Sequence, residues 1–160
     1  MKQTRNHSRK DLTGSNLSRD DLSNANLSET NLSRANLQET NLHGANLTSA
    51  TLRNDNLTGA DLVDACLTGA DLEGADLRGA DLTGANLRDA RLHAANLGDA
   101  ILTDADFTGA NLEDAKLDRT NPERSRSFQG AQMRGVTGLS DEQHAECAEK
   151  WTVADSHEGV

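Results

Sequence analysis

Residues 69–86 read GADLEGADLRGADLTGAN, in which the phrase Ala-Asp-Leu-x-Gly recurs every five residues. The period extends far beyond this stretch, because every fifth residue from Leu12 to Leu117 is leucine, with Phe107 as the exception. A small residue, usually Ala, stands two positions before nearly all of these sites. The residue two positions after each site is most often Gly, Asp or Asn and is never β-branched.

A period of five fits neither of the regular secondary structures. On an α-helix, side chains five residues apart point about 140° away from each other. On a straight strand they lie on alternate sides. Ala and Leu two residues apart do share one side of an extended segment, and Gly, Asn and Asp tolerate the positive φ of a turn. We therefore predict that the chain turns inward after every leucine and winds into a coil with a Leu and Ala interior.

The repeated phrase resembles the motif of the pentapeptide-repeat family. Ala-Asp/Asn-Leu-x-Gly, as in residues 70–74, 75–79 and 80–84, matches that motif, and the match extends over residues 11–119. The resemblance implies an all-β solenoid, namely a right-handed quadrilateral β-helix with four pentapeptides per coil. Residue n would then lie beneath residue n+20, and parallel pairing at a spacing of about 4.8 Å would give a rod about 26 Å long.

The sequence outside the regular repeat suggests three parts. Residues 1–10 are basic and are predicted to form an N-terminal tail, and residues 11–135 the β-helix, with a register break near 120–127. Residues 136–160 are predicted to form a helical cap and a loose tail, because Ser140 and Gln143 fit a capping box before helix-forming residues. No apolar stretch follows the basic N-terminus, so we expect no signal peptide, no membrane span and a cytoplasmic location.

A few polar residues occupy positions that the repeat directs inward. Lys10, Ser15 and Asp20 do so in the first coil, which we interpret as a frayed and partly solvated end. Asp55 does so in the middle of the rod, where burying an unpaired carboxylate is costly. We interpret it as a carboxylate satisfied by nearby amides at a slightly opened corner, with a ligand site as the alternative.

The acidic residues are unevenly distributed around the predicted coil. The chain has 26 Asp and Glu against 16 Lys and Arg, and residues 11–120 hold 19 of these acids and 8 of these bases. Folding the sequence in twenties brings residues 20–24, 40–44, 60–64, 80–84 and 100–104 to one side. This side, the acidic face, contains no Lys or Arg. We predict that it binds a protein partner with a basic surface, through Asp21, Asp61, Val63, Asp64, Asp81, Ile101 and Asp104. The alternative is that these acids only aid solubility.

Large apolar residues gather near the C-terminus, where the solenoid needs a cover for its open edge. We predict that they form a cap. The alternative is the interface of a homodimer, which the resemblance implies because some family members pair through their C-terminal ends. These residues are Phe128, Met133, Val136, Leu139 and Trp151.

The sequence contains no phosphate-binding loop, no His/Cys metal spacing and no pattern of catalytic residues. We expect no cofactor, no metal, no direct nucleic-acid binding and no enzyme activity, because the outer sides are regular and imply no pocket. The predicted function is that of a non-catalytic binding scaffold. The resemblance implies an alternative, since a subset of the family mimics DNA and modulates type II topoisomerases such as gyrase in quinolone resistance. The linear charge density of the rod, one charge per about 2.4 Å, is comparable with that of duplex DNA, one per about 1.7 Å.

Overall fold

The computed structural model describes residues 6–151 of the chain, with side chains up to residue 146. Its backbone winds as a stack of square coils in which each bridging residue pairs in parallel with the residue twenty positions later. This pairing runs from Asn6 with Asn26 to Asn96 with Lys116. Five residues per side and twenty per coil give four sides. The fold is therefore the right-handed quadrilateral β-helix that the sequence predicts.

Every corner up to the one after Leu117 is the same tight turn. The carbonyl of each leucine accepts a hydrogen bond from the N–H three residues later, as between Ala25 N and Leu22 O at 3.0 Å. The residue just before this donor has positive φ, for example 55° at Asn24 and 69° at Gly84. Branched β-carbons clash with the backbone in this conformation. This clash explains why β-branched residues never occur two positions after leucine.

Where Asn or Asp precedes a leucine, its side chain closes the turn that follows. Its Oδ1 accepts a hydrogen bond from the N–H two residues later, at 3.1 Å from Asn26 to Ser28 and at 3.0 Å from Asp81 to Thr83. Side chains of this length can satisfy a turn amide in this way. The second position of the repeat is therefore fixed by hydrogen bonding, a reason that the spacing alone does not reveal.

Leucine and alanine fill the interior of the rod. Every fifth residue from Leu27 to Leu117, including Phe107, is at most 1% exposed. The alanines that stand two positions before them at the corners are buried as well, from Ala60 to Ala115. Each coil contacts mainly the coils above and below it, so the stability of the rod accumulates coil by coil.

The β-helix begins before the boundary that the sequence suggests. Asn6 already pairs with Asn26, and Arg9 N donates to Ser28 O at 3.0 Å. Residues 6–10 thus belong to the first coil rather than to a basic tail. His7 takes the site that leucine occupies in later coils, and counting leucines therefore misses this repeat.

The first coil is less closed than those above it. Lys10 and Asp20 are exposed and Ser15 is half-buried at their corner sites, in line with the partly solvated end expected there. Leu12 and Leu17 are only partly buried. The interior side chains are therefore less completely buried toward this end.

Asp55 lies inside the rod with 1% of its surface exposed. Its Oδ1 accepts a hydrogen bond from Ala35 N, one coil below, at 2.9 Å, while its Oδ2 is buried without a hydrogen-bond partner. The turn bond from Asp55 N to Leu52 O is 3.3 Å long, against 3.0 Å from Ala75 N to Leu72 O. The corner is slightly opened, as expected, but amides satisfy only one of the two carboxylate oxygens.

The register breaks where Pro122 takes a buried leucine site. A 3₁₀ helix, Pro122–Arg124, adds one residue to the coil, so that Asp106 pairs with Ser127 and Lys116 with Thr137. The β-helix consequently continues past residue 135, the predicted end. Phe128 is fully buried and stacks on Phe107 with ring centroids 4.8 Å apart.

The α-helix Asp141–Trp151 follows the last coil. Ser140 and Gln143 form a reciprocal capping box, with Ser140 N donating to Gln143 Oε1 at 3.0 Å and Gln143 N to Ser140 Oγ at 3.2 Å. Gln143 Nε2 also donates to Thr120 O at 3.0 Å. The start of the helix is thus attached to the coil beside the 3₁₀ helix.

The residues proposed for a cap or dimer interface divide into three groups. Phe128 lies inside the rod and contributes no surface to an interface. Met133, Val136 and Leu139 are partly buried against the end of the core. Trp151 ends the helix, and its side chain lies outside the described residues.

Candidate functional site: an acidic face

The β-helix brings the predicted partner-binding residues to one side of the rod. Asp61 pairs with Asp81, and Asp81 pairs with Ile101, so these three residues form one column on adjacent coils. Adjacent coils lie about 4.8 Å apart, the distance between paired strands. Val63 belongs to the neighbouring column, Asp64 and Asp104 to the turn column beside it, and Asp21 to the first coil.

The local turn chemistry fixes where these carboxylates lie. Asp61 Oδ1 accepts a hydrogen bond from Val63 N at 3.0 Å. Asp81 Oδ1 accepts one from Thr83 N at 3.0 Å and one from Thr83 Oγ1 at 2.6 Å. The repeat thus orients both acids, and their stacking brings two like charges together on adjacent coils.

Asp64 and Asp104 occupy the positive-φ position of their turns, with φ of 56° and 57°. Gly84 lies between them in the same column. The Asp64 carboxylate fills the space that a Cβ of Gly84 would need. The glycine therefore leaves room for an acidic side chain that extends over the next coil.

The acidic face also presents apolar surface. Ile101 is 49% exposed and is the one exposed large hydrophobic residue within the described part of the chain. Val63 is half-buried on the same side. An apolar side chain among uncompensated charges offers contact area as well as electrostatic attraction.

Acids on the other three sides are mostly neutralised by arginine. Arg53 contacts both Asp71, at 2.7 Å, and Glu73, at 3.2 Å, and Arg88 contacts Asp106 at 3.1 Å. The Arg19 guanidinium, 2.8 Å from Glu39, lowers the pKa of that carboxyl through a hydrogen bond and its charge. Eight acids on these sides form arginine pairs: Glu29, Glu39, Asp71, Glu73, Asp76, Asp99, Asp106 and Glu113.

The ion pairs of the described residues do not include Asp61, Asp64, Asp81 or Asp104. Sequence analysis did not reveal this contrast, because it depends on which side chains reach across coils. The signal was nevertheless present: Arg9 and Glu29, like Arg19 and Glu39, stand twenty residues apart and therefore stack. No equivalent arginine stacks on the four aspartates within residues 20–104.

The last coil adds a basic residue that the sequence analysis did not assign to this side. Arg124 follows Asp104 in the turn column, with Asp104 N donating to Arg124 O at 2.9 Å. The acidic face is therefore free of Lys and Arg from residue 20 to 104 and ends beneath Arg124. The negative surface is centred on the middle coils.

The described part of the chain holds no group of three or more His, Cys, Asp or Glu side chains placed to bind a metal ion. The helices in this part are also too short or too polar to cross a bilayer.

Comparison with known proteins bears on the family. A family model described as pentapeptide repeats matches residues 15–54, 56–93 and 85–121. No protein of curated function matches the sequence significantly.

Solved structures with a similar fold include HetL, a pentapeptide repeat protein involved in heterocyst differentiation regulation in the cyanobacterium Nostoc sp. It is 33% identical, with 82% of this chain and 71% of HetL covered and a TM-score of 0.44. A pentapeptide repeat protein from the thylakoid lumen of Arabidopsis thaliana is 28% identical. The match covers 94% of this chain and 84% of that protein, with a TM-score of 0.42. A trypsin-treated form of QnrB1, a plasmid-mediated fluoroquinolone resistance protein, is 19% identical. The match covers 91% of this chain and 95% of QnrB1, with a TM-score of 0.34. With family-model matches that span most of the regular coil, the chain belongs to the pentapeptide-repeat family.

Proposed function

We propose that this protein is a non-catalytic scaffold that binds a basic protein surface on its acidic face. One observation carries the proposal: among the described residues, Asp61, Asp64, Asp81 and Asp104 have no ion pairs, whereas most acids on the other sides of the rod pair with arginine. Surface carboxylates without cations attract a positively charged partner and speed its association. Ile101, exposed on the same side, would add apolar contact.

The matching test removes charge without altering the turns. In the triple variant Asp61→Asn, Asp64→Asn, Asp81→Asn, asparagine keeps the Oδ1 acceptor that closes the turns after positions 61 and 81, as it does at Asn26. At position 64 asparagine tolerates the positive φ, as Asn24 does. The control variant Asp89→Asn, Asp114→Asn, Asp118→Asn changes the net charge equally on the other sides.

A partner captured from a lysate of the source organism, then purified, would be titrated with all three proteins. We expect its Kd to rise at least tenfold for the acidic-face variant, about 1.4 kcal/mol, and to change little for the control. Equal weakening by both variants would mean that the rod attracts partners by net charge alone, and the acidic face would lose its role.

The gyrase alternative is tested separately. Duplex DNA carries charge on both strands around its whole circumference, whereas here arginines neutralise most acids on three sides. This one-sided distribution favours binding of a basic protein surface to one face of the rod over imitation of DNA in the binding site of gyrase. We expect the protein to leave gyrase supercoiling unchanged, with and without a quinolone. Inhibition or quinolone protection at micromolar protein would replace our proposal with the alternative.

Dimerisation through the C-terminal end is a second and separate proposal. It is supported by Met133, Val136 and Leu139, which are partly buried apolar residues at the end of the rod. Light scattering coupled to size-exclusion chromatography would measure the mass of the wild type and of Met133→Ser. We expect a dimer that the substitution weakens, and a concentration-independent monomer would end this proposal.

A further inference from the structure

The corner sites, two positions before each leucine, divide the rod into unlike parts. Residues 6–40, which we call the N-terminal segment, have polar residues at five of their seven corner sites. The twelve corner sites from Ala60 to Ala115 are all alanine. The polar ones in the segment are Lys10, Ser15, Asp20, Thr30 and Thr40.

The polar corners of the N-terminal segment are satisfied mainly within the segment itself. Thr30 Oγ1 donates to His7 O at 2.9 Å, and Thr40 Oγ1 donates to Leu17 O at 2.8 Å. The ion pairs of Arg9 with Glu29 and of Arg19 with Glu39 also lie inside it and are exposed. Exposed pairs of this kind contribute little to stability. These bonds hold the segment together without binding it to the coils above.

Asp55 stands at the junction between the segment and the next coil. Its carboxylate reaches down to Ala35 N at 2.9 Å, and its other oxygen is buried without a partner. Burial raises the pKa of Asp55 to about 8, although the amides of Ala35 and Arg34 act in the opposite direction. Below about pH 8 the carboxyl is therefore held in its neutral form.

The charged residues around Asp55 do not compensate a carboxylate there. Arg53, two residues away, is engaged by Asp71 and Glu73. Asp76 lies on the coil above, where its N–H bonds to Asp55 O, and its own carboxylate pairs with Arg78. Arg34, on the coil below, is exposed on the outside of the rod. Ionised Asp55 would consequently be a buried charge without a counterion.

We propose that the N-terminal segment opens as a unit while the remaining coils stay folded, and that loss of the Asp55 proton favours this opening. Opening would break the pairing of residues 21–40 with residues 41–60 and would make the coil of Asp55 the new end of the rod. There its carboxylate would meet water, as Asp20 does in the present end coil. A solenoid permits such partial opening because each coil depends only on its neighbours.

The direction of the pH dependence follows from linkage. The closed rod keeps the proton up to about pH 8, whereas an opened Asp55 would titrate near its ordinary value of 3.8. Between these values opening releases a proton, so that the closed form loses stability as pH rises. The opening constant would increase by up to about tenfold per pH unit and level off above pH 8.

Hydrogen exchange measured by NMR between pH 5 and 8.5 tests the proposal on the whole chain. The reporters are the amides of Leu32 and Leu37, which bond to Thr51 O and Asn56 O, and of Asn56, which bonds to Ala35 O. Reference amides are those of Leu87 and Leu92, far from the segment. After correction for intrinsic exchange rates, we expect larger opening constants at the reporters than at the reference amides, with a gap that widens as pH rises.

Two variants isolate the contribution of Asp55 from those of other ionisable groups. Asp55→Asn keeps the shape and all histidines, and Asp55→Ala places at this corner the residue that fills the twelve corners above. We expect the gap between reporters and reference amides to lose its pH dependence in both variants. Equal opening constants at all five amides in the wild type would overturn the separate opening. A pH dependence that persists in Asp55→Asn would overturn the role of Asp55.

Discussion

The lower part of this rod, the N-terminal segment of residues 6–40, and its upper part, residues 60–117, share a backbone and differ in their corners. Leu32 N to Thr51 O in the lower part and Leu92 N to Asn111 O in the upper part are both 2.7 Å long. The lower part nevertheless has polar corners and ends on partly buried leucines, whereas the upper part has an unbroken alanine and leucine interior. The comparison indicates that the five-residue period produces the coil, while the residue at the corner decides how well the coil is sealed.

A carboxylate introduced into the upper part should have the largest effect. Ala95 and Ser15 occupy the same corner column, but Ala95 is fully buried and Ser15 is half-buried at the end. We expect Ala95→Asp to lower the free energy of unfolding by about 4 kcal/mol, because it buries an uncompensated charge. Ser15→Asp should cost less than about 1 kcal/mol. Urea unfolding followed by circular dichroism measures both. Similar losses would show that the two parts are equally closed.

Substitutions at the two ends of the rod should have the next largest effects on the free energy of unfolding. Phe128→Ala removes a ring that is fully buried against Phe107, and we expect a loss of about 3 kcal/mol, as for a cavity in a closed core. Leu17→Ala removes a partly buried side chain at the opposite end, where water can fill the space, and we expect about 1 kcal/mol. The same urea assay at one pH compares them. A greater loss for Leu17→Ala would reverse the order of the two ends.

Asp55 should be the one position in the interior where substitution stabilises the protein. Since burial raises its pKa to about 8 from the ordinary 3.8, the wild type loses stability as pH rises through this range. We expect Asp55→Ala to gain at least roughly 2 kcal/mol at pH 8. The gain should shrink as pH falls toward 4, where the unfolded carboxyl begins to take up a proton as well. Melting temperatures across this range check the sign. A gain that is independent of pH would attribute the effect to packing instead of ionisation.

Exposed ion pairs should matter least. Arg19→Met breaks a pair on the outside of the lower part, and we expect the melting temperature to change by less than about 2 °C. Arg53→Met serves as the comparison outside the lower part, because its guanidinium bridges Asp71 and Glu73 and is less exposed. Its effect should be larger and should weaken with added salt. An effect of Arg19→Met as large as that of Arg53→Met would contradict this ranking.

Much of the fold could be predicted from the sequence because it depends on a strict period. Leucine at every fifth position, small corners and turn-tolerant residues leave the chain one way to bury its apolar side chains. The first repeat was missed because His7 stands where a leucine was expected. The end of the β-helix was placed too early because Pro122 and the added residue shift the pairing by one, and the period no longer identifies the inward sites.

The acidic face could be predicted only in outline. Period and coil size assign Asp61, Asp64 and Asp81 to one side, but they do not say which acids arginines reach. That depends on side-chain length and rotamer, as where Arg53 contacts acids 18 and 20 residues later. The same holds for Asp55, whose two oxygens differ because one of them meets the amide of Ala35.

Because each coil has four sides of five residues, the effect of an insertion or deletion in this chain depends on its length. Removing five residues from the body would keep every later leucine pointing inward, so the molecule would still fold, but all later surface residues would rotate by a quarter turn. Aspartates now aligned along one edge would be split between two. Removing twenty would shorten the rod and preserve the alignment. The interior is thus encoded with a period of five residues and the surface with a period four times as long. An insertion or deletion of five residues can therefore change the composition of a binding surface without changing the core.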